Sequence, residues 1–442
     1  MFNMSVSERL NRFFGITESG SSISTEVRGG ILVFLAMSYI IVVNSRMMTE
    51  AGIDADAAFT ATNLMSVIGS LVMGLYAKFP VAMAPGMGIN AMFCYTAVLT
   101  MGFTWQEALC AVIISGAVFF AVTVTGVRRR ILDKIPLGVK AGITAGIGCF
   151  IAFIGLHNAG IITASPSTLV ALGDMSSPAV LLAVFCIIIT VLFVAKKLYS
   201  GVLVGMVVTA IVGMVAGIIP VPDQIFASPV LPPVGEFIDG IGSNLLSFQF
   251  LMVVITFSFM EFFDGSGTLM AVGKRAGFVD DQGNVTCERA LSVDAGIASA
   301  SGAIGCTPCT AYAESAVGVE FGARTGLMPV VVAIMFLLSL GIAPIFEVID
   351  YSCTVGAMII VGAAMMSELR SVDWSDTPTM IVVLMTILMM ILTYSITDGI
   401  AFGIILYCIA MIGAGRWREV SPVLYIMSVI LVAYLISCAI AF

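Results

Sequence analysis

The chain has 442 residues, of which 60% are hydrophobic and only 10% charged, with a formal net charge of −8. Soluble domains carry about 25% charged residues, so this composition excludes the soluble globular class. No basic tract with interleaved aromatics is present, which argues against nucleic acid as a partner.

Met1 to Thr25 is polar and lacks the apolar core of a cleavable signal peptide. From Glu26 onward, apolar stretches recur at roughly the 20-residue length of one bilayer crossing. They fall at about 26–48, 56–78, 87–101, 105–127, 135–156, 179–197 and 199–219. A second set falls at about 248–272, 288–304, 311–322, 325–343, 353–368, 377–394 and 397–413, and a further stretch follows at 421–441. With the N-terminus inside, the inner loops hold Lys78, Arg128-Arg129-Arg130, Lys134, Lys196-Lys197, Lys274-Arg275, Arg324, Arg370, Arg416 and Arg418. The outer loops hold Arg46 beside acids such as Asp54, Asp174, Asp223 and Glu347. This asymmetry follows the positive-inside rule and predicts a multi-pass protein of the cell membrane with a cytoplasmic N-terminus.

Two sets of seven spans predict an internal repeat whose second copy is inverted, because seven is odd. Ser38-Tyr-Ile-Ile-Val-Val-Asn44 aligns with Ser258-Phe-Met-Glu-Phe-Phe-Asp264, and Gly201 and Gly205 align with Gly399 and Gly403. Inverted repeats build many secondary transporters. The predicted fold is therefore an all-α integral membrane protein with a 7+7 inverted repeat.

Segments three and ten are too short to cross a bilayer alone. Both follow Pro-containing, small-residue stretches, Phe79-Pro-Val-Ala-Met-Ala-Pro-Gly86 and Gly305-Cys-Thr-Pro-Cys-Thr310. Irregular backbone at membrane depth must line a protein-enclosed cavity. Paired interrupted segments at equivalent places in two halves point to a substrate site. The CxxC of Cys306 and Cys309 lacks the soluble βαβ setting of a redox motif.

The polar side chains gather at these interruptions. Glu261 and Asp264 lie three residues apart in segment eight, with Thr268 one turn further on, so all three share a helix face. Thr310 and Glu314 belong to Thr310-Ala-Tyr-Ala-Glu314 at segment ten. A charge at the bilayer centre costs about 2.5–3.5 kcal/mol, so each carboxyl needs a polar cavity, a partner or a proton. Asn90 stands in the first turn of segment three; its amide both donates and accepts, which suits a heterocycle edge, and it also suits a helix cap. Asp294 fits a site or a structural role equally, and Asn44 either supports Asp264 or bridges two helices. Phe262, Phe93 and Tyr312 are candidates to stack on a flat ring. His157, the only histidine, ends segment five and reads as interfacial. Asp280-Asp-Gln-Gly-Asn284 lacks the twelfth-position acid of a calcium loop and reads as a turn.

These strings resemble the AzgA-like adenine/guanine/hypoxanthine permeases of the nucleobase–cation symporter-2 superfamily. The resemblance rests on Asn11-Arg-Phe-Phe-Gly-Ile, Glu26-Val-Arg-Gly-Gly, Ala84-Pro-Gly-Met-Gly-Ile-Asn-Ala, Phe263-Asp-Gly-Ser-Gly-Thr-Leu and Thr310-Ala-Tyr-Ala-Glu-Ser-Ala-Val-Gly-Val, and it covers nearly the whole chain. It implies a core domain (26–127 and 248–343) and a gate domain (133–219 and 352–441). It implies a purine held by Asn90, Glu261, Asp264, Thr268, Thr310 and Glu314. The proton is the coupling ion, carried on Glu261 or Glu314, with no other cofactor and no metal. The resemblance further implies a homodimer, and a carrier rather than an enzyme. The alternatives are a same-fold uracil or xanthine carrier and, more remotely, an intramembrane aspartyl protease. That protease chemistry needs a second aspartate and a GxGD string, and the sole Gly-Asp dipeptide, Gly173-Asp174, falls in an outer loop.

Overall fold

Several helix starts are fixed by capping side chains. Asp54 accepts the N–H groups of Asp56 and Ala57, each at 3.1 Å, and opens α4 (Ala55–Val72). Thr104 and Glu107 form a reciprocal capping box at the start of α6 (Trp105–Val124). The first span is broken at Ser38 into α2 (Ile23–Met37) and α3 (Tyr39–Glu50), where the Ser38 hydroxyl donates to the Leu35 carbonyl at 3.2 Å. Such back-bonding bends helices.

The computed structural model describes residues 6–125, 136–196, 198, 200–278 and 286–441, with the backbone alone at 243, 262–264, 266, 347 and 437–441. Arg128–Arg130, Lys134, Lys197 and the Asp280–Asn284 turn therefore lie outside the described residues, as do the side chains of Phe262 and Asp264. After α1 (Val6–Phe14), the first half runs through α2 to α4, β1 (Met83–Pro85), α5 (Met87–Ala91), α6, α7 (Leu137–Asn158), β2 (Ile162–Ser165), β3 (Leu169–Leu172), α8 (Pro178–Ala195) and α9 (Gly201–Val215). A π-helical turn, Met92–Thr100, extends α5. The second half comprises α10 (Phe248–Ala276), α11 (Glu288–Ile304), β4 (Cys309–Ala311), α12 (Ser315–Glu320), α13 (Leu327–Ser339), α14 (Ala343–Glu347), α15 (Tyr351–Met366), α16 (Thr377–Leu392), α17 (Ile396–Gly413) and α18 (Pro422–Ala441).

Among the described residues, eight helices are long and apolar enough to cross a membrane, and shorter apolar helices such as Met87–Thr100 accompany them. The second short segment becomes a helix only at Ser315, later than the apolar pattern predicts, because Cys309–Ala311 pair as a strand. The β2–β3 hairpin was not expected from the sequence.

The helices pack in two groups. α6 lies on α10 and α11, and α13 lies on α2 and α4; in the other group α7 lies on α15 and α16, α8 on α9 and α15, and α16 on α17. The repeat shows in matching contacts. A Cβ on Gly205 would meet the Thr190 hydroxyl at 2.2 Å, and one on Gly403 would meet the Thr386 hydroxyl at 2.1 Å. The aligned glycines of segments seven and fourteen thus do the same packing work in each half. Within the first group, a Cβ on Gly116 would come 2.4 Å from the Ser299 backbone nitrogen, where α6 and α11 touch. Gly116→Ala is therefore expected to lower stability by about 1–3 kcal/mol through overpacking, read as a drop in unfolding temperature in detergent.

Candidate functional site

Two extended segments meet in the middle of the first helix group. β1 and β4 pair antiparallel, with Met83 opposite Ala311, Ala84 opposite Thr310 and Pro85 opposite Cys309. Each strand is held by a serine from the second span of its own half. The Met83 N–H donates to Ser70 Oγ at 2.9 Å, and the Cys309 N–H donates to Ser301 Oγ at 3.0 Å. Cross-links close the junction: Ala82 N–H to Ser315 Oγ at 2.9 Å, Gly86 N–H to the Pro308 carbonyl at 2.9 Å, and the Tyr312 hydroxyl to the Pro85 carbonyl at 2.8 Å. Irregular backbone is tolerated at membrane depth when its polar groups are satisfied in this way.

Asn90 is fully buried, and among the described residues neither atom of its amide has a hydrogen-bond partner. Its own backbone N–H donates to the Gly86 carbonyl at 2.8 Å, inside the helix. Asn90 is therefore no helix cap. A buried unsatisfied polar group costs about 1–3 kcal/mol, so the site keeps an amide in readiness for a ligand or water.

Glu314 closes β4 at the mouth of α12 and is half-buried. The Tyr39 hydroxyl, from the first residue after the Ser38 break, donates to Glu314 Oε1 at 2.8 Å. Tyr39 was missed by sequence reasoning. Its only signal was its place between Ser38 and Asn44 in the repeated string. Glu261 is buried with its Oε1 accepting from the Ser115 hydroxyl of α6 at 3.2 Å. Among the described residues, Met260 of α10 reaches toward the half-helix: its Cε would lie 3.4 Å from a Cβ on Gly88. Asp264 follows one turn later in α10, and Thr268 is half-buried beyond it.

Asp294 takes a positioning role. Its Oδ1 accepts from the Thr310 hydroxyl at 2.9 Å and from the Ala311 N–H at 3.0 Å. It sits against α10 where Gly265 has no side chain; a Cβ there would lie 2.0 Å from Asp294 Oδ2. The Thr310 hydroxyl proton is thus committed, and Thr310 can meet a ligand only as an acceptor. Asp294→Ala is expected to cost about 3 kcal/mol by leaving two buried donors unpaired, measured by thermal unfolding. Asn44 bridges helices: its amide donates to Thr62 Oγ1 at 2.8 Å and accepts from Thr307 Oγ1 at 3.0 Å. Phe93 and Tyr312 are buried, so neither offers an open stacking face. Cys306 and Cys309 are free, buried thiols. His157 lies exposed at the end of α7. A surface cleft of about 220 Å³ lined by Ser45, Arg46, Asp56 and Phe346 shares no residue with this site.

Comparison with known proteins identifies the family and the fold of the chain. The Permease family model matches residues 24–402. The chain is 41% identical to the guanine/hypoxanthine permease PbuG of Bacillus subtilis over 97% of this chain and 99% of that protein. It is 38% identical to the adenine permease AdeP of Escherichia coli over 96% of this chain and 95% of that protein. Its fold matches the transmembrane domain of a cyanobacterial bicarbonate transporter, BicA, with a TM-score of 0.62 at 15% identity, covering 86% of this chain and 97% of that one. It also matches SLC26A9 with a TM-score of 0.62 at 10% identity, covering 92% of this chain and 69% of that one. The fold is a 7+7 inverted repeat, and the protein is a carrier rather than an enzyme. The chain belongs to the Permease family, within the nucleobase–cation symporter-2 superfamily that its motifs resemble.

Proposed function

We propose that this protein imports purine nucleobases (adenine, guanine and/or hypoxanthine) across the cell membrane by proton symport. The observation that carries the reading is the buried Asn90 amide without a partner, placed at the start of one half-helix, with the Glu314 carboxyl across the strand junction. A purine edge alternates ring acceptors and N–H donors. The Asn90 amide can serve both, and a carboxylate accepts from a ring N–H. The names of the guanine/hypoxanthine and adenine permeases that the chain is similar to support the same cargo class.

In this reading Asn90, Asp264, Thr268, Thr310 and Glu314 surround the base, and Glu261 lies behind it against Ser115. Glu314 or Glu261 carries the proton. A proton crossing ~100 mV gains about 2.3 kcal/mol. That is enough for a roughly 50-fold substrate gradient. The core (26–127 and 248–343) moves against the gate (133–219 and 352–441) as an elevator, in a homodimer with cytoplasmic N-termini. Support for a two-body movement comes from the two packing groups, which share few helix contacts.

The coupling is tested by uptake of labelled hypoxanthine with and without a protonophore. Loss of accumulation on collapse of the proton gradient is expected. Undiminished accumulation would remove the proton from the mechanism.

A further inference from the structure

Asn158 is the last residue of α7, in the gate, and Glu50 and Tyr95 belong to the core. The Asn158 amide donates to the Tyr95 hydroxyl at 3.0 Å and reaches Glu50 Oε1 at 3.4 Å. Both the Tyr95 and the Tyr351 hydroxyls lie beside Glu50. Tyr351 opens α15, so a second gate element approaches the same carboxyl; its hydroxyl is buried without a completed hydrogen bond among the described residues. The ring of Tyr394, in the turn between α16 and α17, covers this cluster. It meets Tyr95 edge-on at 5.8 Å, Phe150 at 5.3 Å and His157 at 6.2 Å.

Two further facts single the cluster out. Tyr394 has a φ of 55°, a left-handed backbone that a bulky side chain rarely adopts. Such a conformation persists only when its surroundings hold it. Tyr95 also follows Asn90 by five residues in the same half-helix, about 7 Å along the axis. Glu50, Thr100 and Asn158 all end their segments at the face opposite the basic Lys78 and Arg324, so the cluster roofs the substrate site on its outer side.

We infer that Asn158 of the gate, bonded to Tyr95 and Glu50 of the core under the Tyr394 ring, is the outer lock of the transport path. Its closure holds core to gate above the base, and its release opens the site to the outside. The inference rests on the core-and-gate reading given above. It adds the residues that hold the two bodies together when the outer side is shut.

The test is hydrogen–deuterium exchange of the purified full-length protein in lipid nanodiscs, without substrate or proton gradient. Asn158→Asp sets a carboxylate against Glu50. It is expected to speed exchange about tenfold in peptides covering 93–100, 150–160 and 390–397, the order set by losing one hydrogen bond to a charged group. Inner-side peptides covering 73–80 and 367–376 keep their wild-type rates. The double variant Glu50→Gln with Asn158→Asp exchanges donor and acceptor and restores protection. Asn158→Ala removes the amide without adding charge and moves the outer peptides in the same direction as Asn158→Asp. Wild-type exchange in Asn158→Asp and Asn158→Ala would overturn the inference. So would equal loosening at both faces, or a double variant no better protected than the single. Because no transport is measured, a failed purine or proton assignment leaves this outcome unaffected, and a failed lock leaves those assignments standing.

Discussion

Glu314→Gln is expected to cut purine uptake about 100-fold while leaving the protein folded in the membrane. The amide keeps an oxygen for the Tyr39 hydroxyl, which now stands 2.8 Å from the carboxylate, so the junction of β4 and α12 retains its tie to the first span. What disappears is the negative charge and the capacity to take up a proton. A hydrogen bond to a charged group contributes about 1.5–3 kcal/mol. That corresponds to roughly 10- to 150-fold in affinity, before any loss of coupling is added. Tyr39→Phe provides the graded control: the charge stays but its orientation loosens, and uptake falls about tenfold. Uptake of labelled base, normalised to surface expression, distinguishes the two. Full activity in Glu314→Gln would show that the carboxyl only fastens helices.

Asn90→Ala separates binding from folding in a second way. The amide is buried and unpartnered, so the empty protein gains nothing from it. Removing it relieves a desolvation penalty of about 1–3 kcal/mol. It also leaves a small void that costs stability at ~24 cal/mol per Å³. These effects oppose each other, and the unfolding temperature should stay near the wild-type value. Affinity for the base should meanwhile fall about 100-fold, because both hydrogen bonds to the heterocycle are lost. A residue that merely packs would show the reverse, with stability falling and affinity preserved. Thermal unfolding with and without hypoxanthine reads both quantities in one experiment.

The difference between Asn90 and Asp294 shows how far the sequence could carry the reading. Both are polar residues in apolar segments, and both were candidates for either role. Asn90 proved to lie within the helix, past the capping position, with its amide unpartnered. Asp294 proved to be spent on Thr310 and Ala311. Composition and periodicity do not encode that distinction, because it depends on partners brought together by the fold. The same holds for Tyr39 and Glu314, which are 275 residues apart in the chain and 2.8 Å apart in space. The interrupted segments were legible, since proline and small residues at matched places leave a local mark. The pairing of β1 with β4 was not, since three-residue strands have no period of their own. Gly205 and Gly403 were legible as a repeat; that each packs on a threonine of the preceding helix was visible only in three dimensions. The β2–β3 hairpin escaped because Ile162–Ser165 and Leu169–Leu172 are too short and too mixed to stand out between two spans.

Uptake into proteoliposomes under an inward proton gradient is the most direct measurement, with radiolabelled hypoxanthine, guanine and adenine offered separately to the wild type and to Glu314→Gln. The wild type should accumulate at least one purine, with the other bases competing, and Glu314→Gln vesicles should stay at background. Accumulation of uracil or xanthine with none of the three purines would contradict the cargo assignment, and equal accumulation by Glu314→Gln would contradict the site.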